Sequence, residues 1–233
     1  MIKGYVHSIQ TLGTLDGPGV RFVVFTQGCN LRCSCCHNPD TWNCNEGKVF
    51  TPEEIVKRAK RYKAYFGKEG GITFSGGEPL LQADFVYETF KLCHNEGINT
   101  CLDTSGSVFN DSVINLLQET DMVLLDVKYT ENELYKKYVG CDMDRVLKFI
   151  DILEEMNIKT ILRQVVIPTV NDYEENFVKL KAIAEKYSVV QKVELLPFKN
   201  ICITKYDMLN IDFPFRDIPL PLESDMRKYQ KMF

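Results

Sequence analysis

The chain has no excess of positive charge and no apolar run long enough to cross a membrane. Its 233 residues carry 28 Lys and Arg against 32 Asp and Glu, a formal net charge of −4. A broad basic surface favours nucleic acid or an anionic membrane as a partner, so we expect neither here. The opening stretch MIKGYVHSIQTLGT also lacks the basic start and apolar segment of an export signal, and we therefore expect a cytoplasmic protein.

Low-complexity linkers and internal repeats are absent from the sequence as well. Apolar residues make up 45% of the chain, which is enough for one sizeable core and too little for two ordinary domains. We therefore expect a single domain over residues 1–233. From residue 200 onward, Pro214, Pro219 and Pro221 interrupt any periodicity, which predicts an irregular C-terminal cover that ends in a short helix near 222–231.

Six short apolar or β-branched runs alternate with helix-like segments. Runs that are apolar on both faces are typical of buried strands, and here they lie at 20–25, 71–76, 99–106, 121–128, 160–168 and 192–198. Helices are predicted to begin at Thr51-Pro52 and to lie near 83–95, 110–119, 143–156 and 174–187. This alternation predicts an α/β domain with a parallel sheet, either doubly wound or bent into a partial barrel.

Polar residues gather where the predicted strands end. In parallel α/β folds, ligands bind at the edge formed by the carboxyl ends of the strands. We therefore expect this edge to hold the functional site. The residues concerned are Ser75 to Glu78, Asp103 to Gly106, Asp126, Lys128 and Lys199.

Four of the nine cysteines fall within the stretch CNLRCSCCH, residues 29–37. The odd count and the close spacing argue against disulfides between distant segments, so the group indicates a metal site. Zinc remains open, although no second pair of cysteines completes a four-ligand site. The thiolates of Cys29, Cys33 and Cys36 would instead bind three irons of a [4Fe–4S] cluster and leave the fourth iron open to a small molecule.

The spacing Cys29-x3-Cys33-x2-Cys36 after one strand, with Gly76-Gly77-Glu78 at the end of the next, resembles the paired motifs of the radical S-adenosylmethionine (SAM) enzymes. Within them, residues 4–198 are similar to the pyruvate formate-lyase activating enzymes, which are glycyl-radical-enzyme activases. Matching stretches include GTLDGPGVRFVVFTQGCNLRC, CHNPDTW, CLDTSG, LLDVK, LRQVVIP and VELLPF. The resemblance implies a partial (β/α)6 barrel, like that of a TIM barrel left open.

The resemblance also implies a chemistry and a subtype. The activity would be reductive cleavage of SAM at the cluster and removal of a hydrogen atom from a glycine Cα of a large partner. Only 39 residues, 37 to 75, separate Cys36 from Gly76, and they contain one further cysteine, Cys44. A second cluster cannot be built there, which favours the short, pyruvate formate-lyase type of activase.

Site residues follow from the same resemblance. Glycines at the end of a strand allow a close backbone approach to the methionine amino group of SAM. SAM is expected to contact Cys35, Cys36, His37, Gly76, Gly77, Glu78, Asp126, Val127, Lys128 and Arg163. A monovalent cation is expected at Asp103, Thr104 and Asp126, and the substrate peptide beside Asp16 and Gly17.

Two positions depart from the family pattern. Lys199 stands where the family has a histidine that helps to hold SAM. Cys35 stands where the family has an aromatic residue along the adenine, and we interpret it as a small, soft substitute in the SAM pocket. Cys29, Cys33 and Cys36 are then the iron ligands, and the alternative assignment exchanges Cys35 with Cys36.

Three functions remain open from the sequence. The first is activation of a glycyl radical enzyme of the pyruvate formate-lyase kind by a monomer, with a flavodoxin or ferredoxin as electron donor. The second is a radical SAM enzyme that acts on a small molecule or another peptide, and the third is a binding module whose cysteines hold zinc. In the first two, the cofactors carry the chemistry, and the protein supplies orientation and excludes water.

Overall fold

The computed structural model describes residues 2–233, and the chain divides into two compact units. Unit 1 runs up to Asn30 and resumes with Thr41–Leu124, whereas unit 2 consists of Leu31–Asp40 and Leu125–Phe233. The division falls inside the cysteine stretch, so Cys29 belongs to unit 1 and the next three cysteines belong to unit 2. No helix within residues 2–233 has both the length and the apolar character needed to span a bilayer.

Unit 1 is a mixed sheet with helices. Its strands follow the order β3-β1-β2-β4-β5, and β6 (Met122–Asp126) comes next and begins in this unit. β1 pairs antiparallel with β2 and β3, whereas β2 with β4 and β4 with β5 are parallel. The bounds are β1 Gly4–Gly13, β2 Arg21–Thr26, β3 Lys48–Phe50, α1 Pro52–Ala59, β4 Gly71–Gly76, α2 Ala83–Asn95, β5 Asn99–Thr104 and α3 Asp111–Gln118.

Local sequence explains both an end of a helix and the core of unit 1. At the start of α1, the Thr51 hydroxyl accepts from the Glu54 N–H and the Glu54 carboxylate accepts from the Thr51 N–H, which is a capping box. One face of β4 is apolar, since Phe74 packs edge-on against two α2 rings, Phe85 and Phe90, at centroid distances of 5.8 and 5.6 Å. Alternation along the strand directs polar residues to the opposite side, and we call Thr73, Ser75 and Asp103 the polar face of β4 and β5.

Unit 2 contains the end of β6, a parallel strand pair and five helices. The backbone N–H of Val127, just after β6, donates to the Arg163 carbonyl at 2.9 Å. Two backbone bonds hold the Leu31–Asp40 segment to the end of α4: Arg32 N–H to Val139 O at 3.3 Å and Ser34 N–H to Tyr138 O at 2.8 Å. The bounds are α4 Asn132–Tyr138, α5 Asp144–Glu155, β7 Lys159–Val166, α6 Glu174–Lys186, β8 Val190–Pro197, α7 Ile203–Leu209 and α8 Glu223–Gln230.

Most of the predicted elements are confirmed. The six predicted strands are β2 and β4 to β8, and the six predicted helices are α1, α2, α3, α5, α6 and α8. β1, β3, α4 and α7 were not predicted. The polar residues expected at strand ends do follow the strands: Glu78 follows β4, Asp126 ends β6 and Lys199 follows β8.

Candidate functional site

The Gly76-Gly77-Glu78 turn ends β4 in unit 1 and requires its glycines. Gly76 has φ of +112°, and a Cβ on Gly77 would lie 2.1 Å from the carbonyl oxygen of Gly28. The Gly77 N–H donates to Thr26 O at 3.0 Å and the Glu78 N–H to Gly28 O at 2.8 Å. These bonds fix the turn against the end of β2, directly before the first cysteine of the motif.

The Glu78 carboxylate is buried and accepts four hydrogen bonds within unit 1. The side chain is 1% exposed. One oxygen accepts from the Thr104 hydroxyl and from the Leu80 N–H at 3.2 Å, and the other accepts from the hydroxyl and the N–H of Ser105. Burial raises the pKa of Glu78, while the donors of Ser105 and Thr104 oppose this rise. The carboxylate therefore joins the glycine turn to the loop after β5.

The residues predicted for a monovalent cation already have protein partners. In unit 1 the Ser75 hydroxyl donates to the Asp103 carboxylate at 2.7 Å, and the Thr104 hydroxyl donates to Glu78. In unit 2 the third predicted ligand, Asp126, is paired with Lys128. Across residues 2–233, no three His, Cys, Asp or Glu side chains are gathered as a single metal ion requires. The cation site stays a prediction.

The turn at Asp16 and Gly17 borders the polar face of β4. Gly17 has φ of +120°, and the carbonyl of Asp16 accepts from the Thr73 hydroxyl at 2.7 Å. Arg21 is fully buried and donates to Thr73 Oγ1 at 2.8 Å and to the Pro18 carbonyl at 3.4 Å. A buried guanidinium thus anchors this turn to β4, and the proposed contact of Asp16 and Gly17 with a substrate peptide stays a prediction.

The cysteine loop of unit 2, which carries Cys33, Cys35 and Cys36, presents thiols that form no disulfide. None of the nine cysteines of the chain is joined in a disulfide, and Cys33, Cys35 and Cys36 are partly exposed. The Cys36 N–H donates to Cys33 O at 3.0 Å, which closes a turn, and the Asn38 N–H donates to Cys36 Sγ at 3.4 Å. Burial raises the pKa of Cys35 to about 11. In unit 1, the N–H of Cys29 donates to the Trp42 carbonyl at 3.4 Å.

Asp126 and Lys128 form a close ion pair in unit 2. The distance from Nζ to Oδ2 is 2.8 Å, and the two side chains are 29% and 20% exposed. Burial acts to raise the pKa of Asp126, but Lys128 and Arg163 outweigh it and hold that pKa below its usual value. Burial likewise acts to lower the pKa of Lys128, but Asp126 and the thiolates of Cys33 and Cys35 raise it well above its usual value. The pair is charged at neutral pH, and its cation lies near the cysteine loop.

The segment after β8 holds the far end of the cysteine loop. His37 Nε2–H donates to the backbone carbonyl of Lys199 at 2.8 Å. Burial lowers the pKa of His37, which keeps the imidazole neutral at physiological pH. Lys205, on α7, donates from Nζ to Asn38 Oδ1 at 2.8 Å and to Asp40 at 3.0 Å. Lys205 was not predicted from the sequence, because its partners are more than 160 positions away.

Tyr129 is a second residue that the sequence analysis did not identify. Its side chain is 1% exposed, and its hydroxyl has no hydrogen-bond partner among residues 2–233. Burial, and then the thiolates of Cys35 and Cys33, raise the pKa of Tyr129. A buried donor without a partner, close to partly exposed thiols that form no disulfide, fits a loop that receives a further group with acceptor atoms.

Comparison with known proteins gives a consistent result. The model of the radical SAM superfamily matches residues 23–180. A pyruvate formate-lyase-activating enzyme of Clostridium pasteurianum is 44% identical over 232 residues, which are 99% of this chain and 97% of that protein. One of Staphylococcus epidermidis is 39% identical over 229 residues, covering 95% and 91%.

Solved structures share the fold at lower sequence identity. SuiB of Streptococcus suis, bound to its precursor peptide SuiA, superposes with a TM-score of 0.70 at 15% identity, over 90% of this chain and 44% of that chain. A domain of a pyruvate-formate lyase-activating enzyme of Bacteroides vulgatus gives a TM-score of 0.58 at 22% identity, over 70% and 92%. These structures confirm the predicted α/β fold of the open-barrel type.

Proposed function

The chain belongs to the radical SAM superfamily, and from this premise we propose that it activates a glycyl radical enzyme of the pyruvate formate-lyase kind. The superfamily model covers more than half of the residues, and the chain is an enzyme of that superfamily. The observation that carries the proposal is 44% identity, over nearly the full length of both chains, to a relative whose name states this activity.

One [4Fe–4S] cluster and SAM are the proposed cofactors. Cys29, Cys33 and Cys36 would hold the cluster. Thiols that form no disulfide, the Asn38 N–H at Cys36 Sγ and the unpartnered Tyr129 hydroxyl fit such a group. Together, the two cofactors supply the reductive cleavage of SAM and the removal of a hydrogen atom from a glycine Cα of the partner. A flavodoxin or ferredoxin is the proposed electron donor, and the chain is proposed to act as a single-domain monomer in the cytoplasm.

The protein's own residues would bind and orient SAM. The backbone of Gly76 and Gly77 is proposed to lie against the methionine amino group, and Glu78 fixes that turn by accepting four hydrogen bonds. Contacts with SAM are also proposed for Cys35, Cys36, His37, Asp126, Val127, Lys128 and Arg163. A cation at Asp103, Thr104 and Asp126, and a peptide contact at Asp16 and Gly17, complete the proposal.

A glycyl radical assay tests this function. The anaerobically purified and iron-reconstituted protein is incubated with SAM, a low-potential reductant and a pyruvate formate-lyase. The expected result is the doublet of a glycyl radical in the electron paramagnetic resonance (EPR) spectrum, absent when the target glycine of the partner is replaced by alanine. SAM cleavage without a doublet on any glycyl radical enzyme would instead support another substrate, and zinc without iron or sulfide would exclude the radical chemistry.

A further inference from the structure

Tyr129 carries a buried hydroxyl to which no described residue is hydrogen-bonded. The side chain is 1% exposed, and the hydroxyl has no hydrogen-bond partner within residues 2–233. Leaving a buried polar group unsatisfied costs about 1–3 kcal/mol, so each such group calls for an explanation. The neighbouring Tyr135 differs, since its hydroxyl accepts from the Lys128 N–H at 2.9 Å.

The Tyr129 ring packs against the end of α4, to which the segment that carries the thiols of unit 2 is hydrogen-bonded. Its centroid is 5.6 Å from that of Tyr138, and the carbonyl of Tyr138 accepts from the Ser34 N–H at 2.8 Å. Ser34 lies between Cys33 and Cys35 in the chain. The charge of these two thiolates contributes to the raised pKa of the phenol, which is a sign of their proximity. A phenol is protonated at neutral pH, so the hydroxyl is available as a donor.

We propose that the Tyr129 hydroxyl donates a hydrogen bond to a sulfur atom of the cluster bound at the cysteine loop, either a sulfide or a cysteine thiolate. This inference rests on the proposed function, because it requires an iron–sulfur cluster at these cysteines. Hydrogen bonds to the sulfurs are among the features that set the reduction potential of a cluster. The reduced state carries more negative charge on sulfur and gains more from a donor, so Tyr129 raises the potential.

The Tyr129→Phe substitution tests the inference, because it removes the hydroxyl and keeps the ring. We expect full iron and sulfide content in this variant. The equilibrium constant for reduction of the cluster should fall about tenfold, which corresponds to a reduction potential about 59 mV more negative for one electron. The potential is measured by redox titration in the absence of SAM. Tyr187→Phe is the matched control, since its hydroxyl donates to Asp151 Oδ1 at 2.7 Å elsewhere in unit 2, and its potential should equal that of the wild type.

A second replacement shifts the potential the other way. Site-specific 3-fluorotyrosine at position 129 is a stronger donor than tyrosine and should make the potential less negative. If Tyr129→Phe fails to retain a cluster, the fluorinated protein alone decides, and an unshifted potential there overturns the inference. An unchanged potential in a fully loaded Tyr129→Phe protein also overturns the inference. This holds even if the variant binds SAM more weakly, because the hydroxyl would then donate to SAM and not to the cluster. Wild-type protein without iron and sulfide would instead contradict the proposed function.

Discussion

Glu78 illustrates how a motif residue acquires a role that its sequence position does not reveal. The pattern Gly-Gly-Glu predicts that backbone carbonyls or the carboxylate accept from the ammonium group of SAM. In the structure, both carboxylate oxygens are occupied by donors of the protein, two of which are the rigid backbone N–H groups of Leu80 and Ser105. We therefore interpret Glu78 as the residue that holds the glycine turn and the β5 loop together.

Replacing Glu78 by glutamine should destabilise unit 1. Whichever oxygen becomes the amide nitrogen, one buried backbone N–H, of Leu80 or Ser105, loses its acceptor, whereas the hydroxyls of Thr104 and Ser105 can rotate. The expected loss in the free energy of unfolding is about 1–3 kcal/mol, measured by urea denaturation of cluster-free protein.

The control for this substitution is Glu88→Gln on the exposed side of α2. Glu88 pairs with Lys91 at 3.6 Å, and both side chains are well exposed. Surface pairs of this kind contribute about 0–1 kcal/mol, so the change should be small. A loss at Glu78 no larger than that at Glu88 would contradict the role of Glu78 as an internal acceptor.

Cys35 and Cys36 should respond differently to substitution by serine. The Asn38 N–H donates to the sulfur of Cys36, which is the kind of bond that stabilises a thiolate ligand. We expect Cys35→Ser to retain about four irons per chain after reconstitution, and Cys36→Ser to lose the cluster. Iron and sulfide analysis measures the cluster content of both variants. Equal loss in the two would contradict the assignment of Cys36, and not Cys35, as the iron ligand.

Residue-level prediction from the sequence names groups with a distinctive chemistry, such as the cysteines, and it missed residues whose role depends on packing. Three cysteines at this spacing predict an iron–sulfur cluster, because few other protein sites have thiolates at that spacing. Nothing in the sequence distinguishes Tyr129 from other tyrosines. Its hydroxyl has no partner in the described chain because of how the surrounding residues pack, which only the structure reveals. Lys205 lies far along the chain from the loop that it contacts.

At the scale of elements, burial decides what could be predicted. The predicted strands are apolar because the sheet buries them, and β4 (Gly71–Gly76) coincides with its predicted run. β1 escaped prediction because most of its residues are at least partly exposed and it pairs antiparallel, so its composition is mixed. α4 and α7 are seven residues each, too short for a clear helical period.

α7 should stabilise the cysteine loop through one ammonium group. Lys205→Met keeps the length of the side chain but removes the donor that joins Asn38 and Asp40. Because the ion pair is partly exposed, we expect a loss of about 1 kcal/mol, confined to the loop. Hydrogen exchange of the peptide around residues 36–41, followed by mass spectrometry, should accelerate roughly fivefold.

The matched control for Lys205 is Lys192→Met on β8. Lys192 pairs with Glu194 at 2.9 Å, but its side chain is 60% exposed and the pair lies within one strand. Exchange around residues 36–41 should be unchanged in this variant. Equal rates in both variants would show that α7 does not hold the loop.

For the molecule as a whole, the sequence predicted the superfamily and the likeness to activating enzymes, whereas the identity of the partner stays a proposal. Recognition of a partner depends on surface residues, which tolerate change because few contacts constrain them. Lys199, which stands where the family has a histidine expected to help hold SAM, contacts the cysteine loop through its backbone carbonyl, which any residue provides.

Binding of SAM should stabilise the cluster-loaded protein much more than the cluster-free protein. If the open iron holds the methionine end, protein without the cluster lacks the strongest of the proposed contacts, although its glycine turn and the Asp126–Lys128 pair are intact. A ligand at 100 times its dissociation constant stabilises a protein by about 2.7 kcal/mol. For a chain of this size, that is a rise in melting temperature of roughly 5–10 °C, measured anaerobically by differential scanning fluorimetry. The Cys36→Ser protein should show a rise of less than about half as much at the same SAM concentration. Equal shifts in loaded and cluster-free protein would mean that SAM is bound without the iron, which would contradict the proposed use of the cysteine loop.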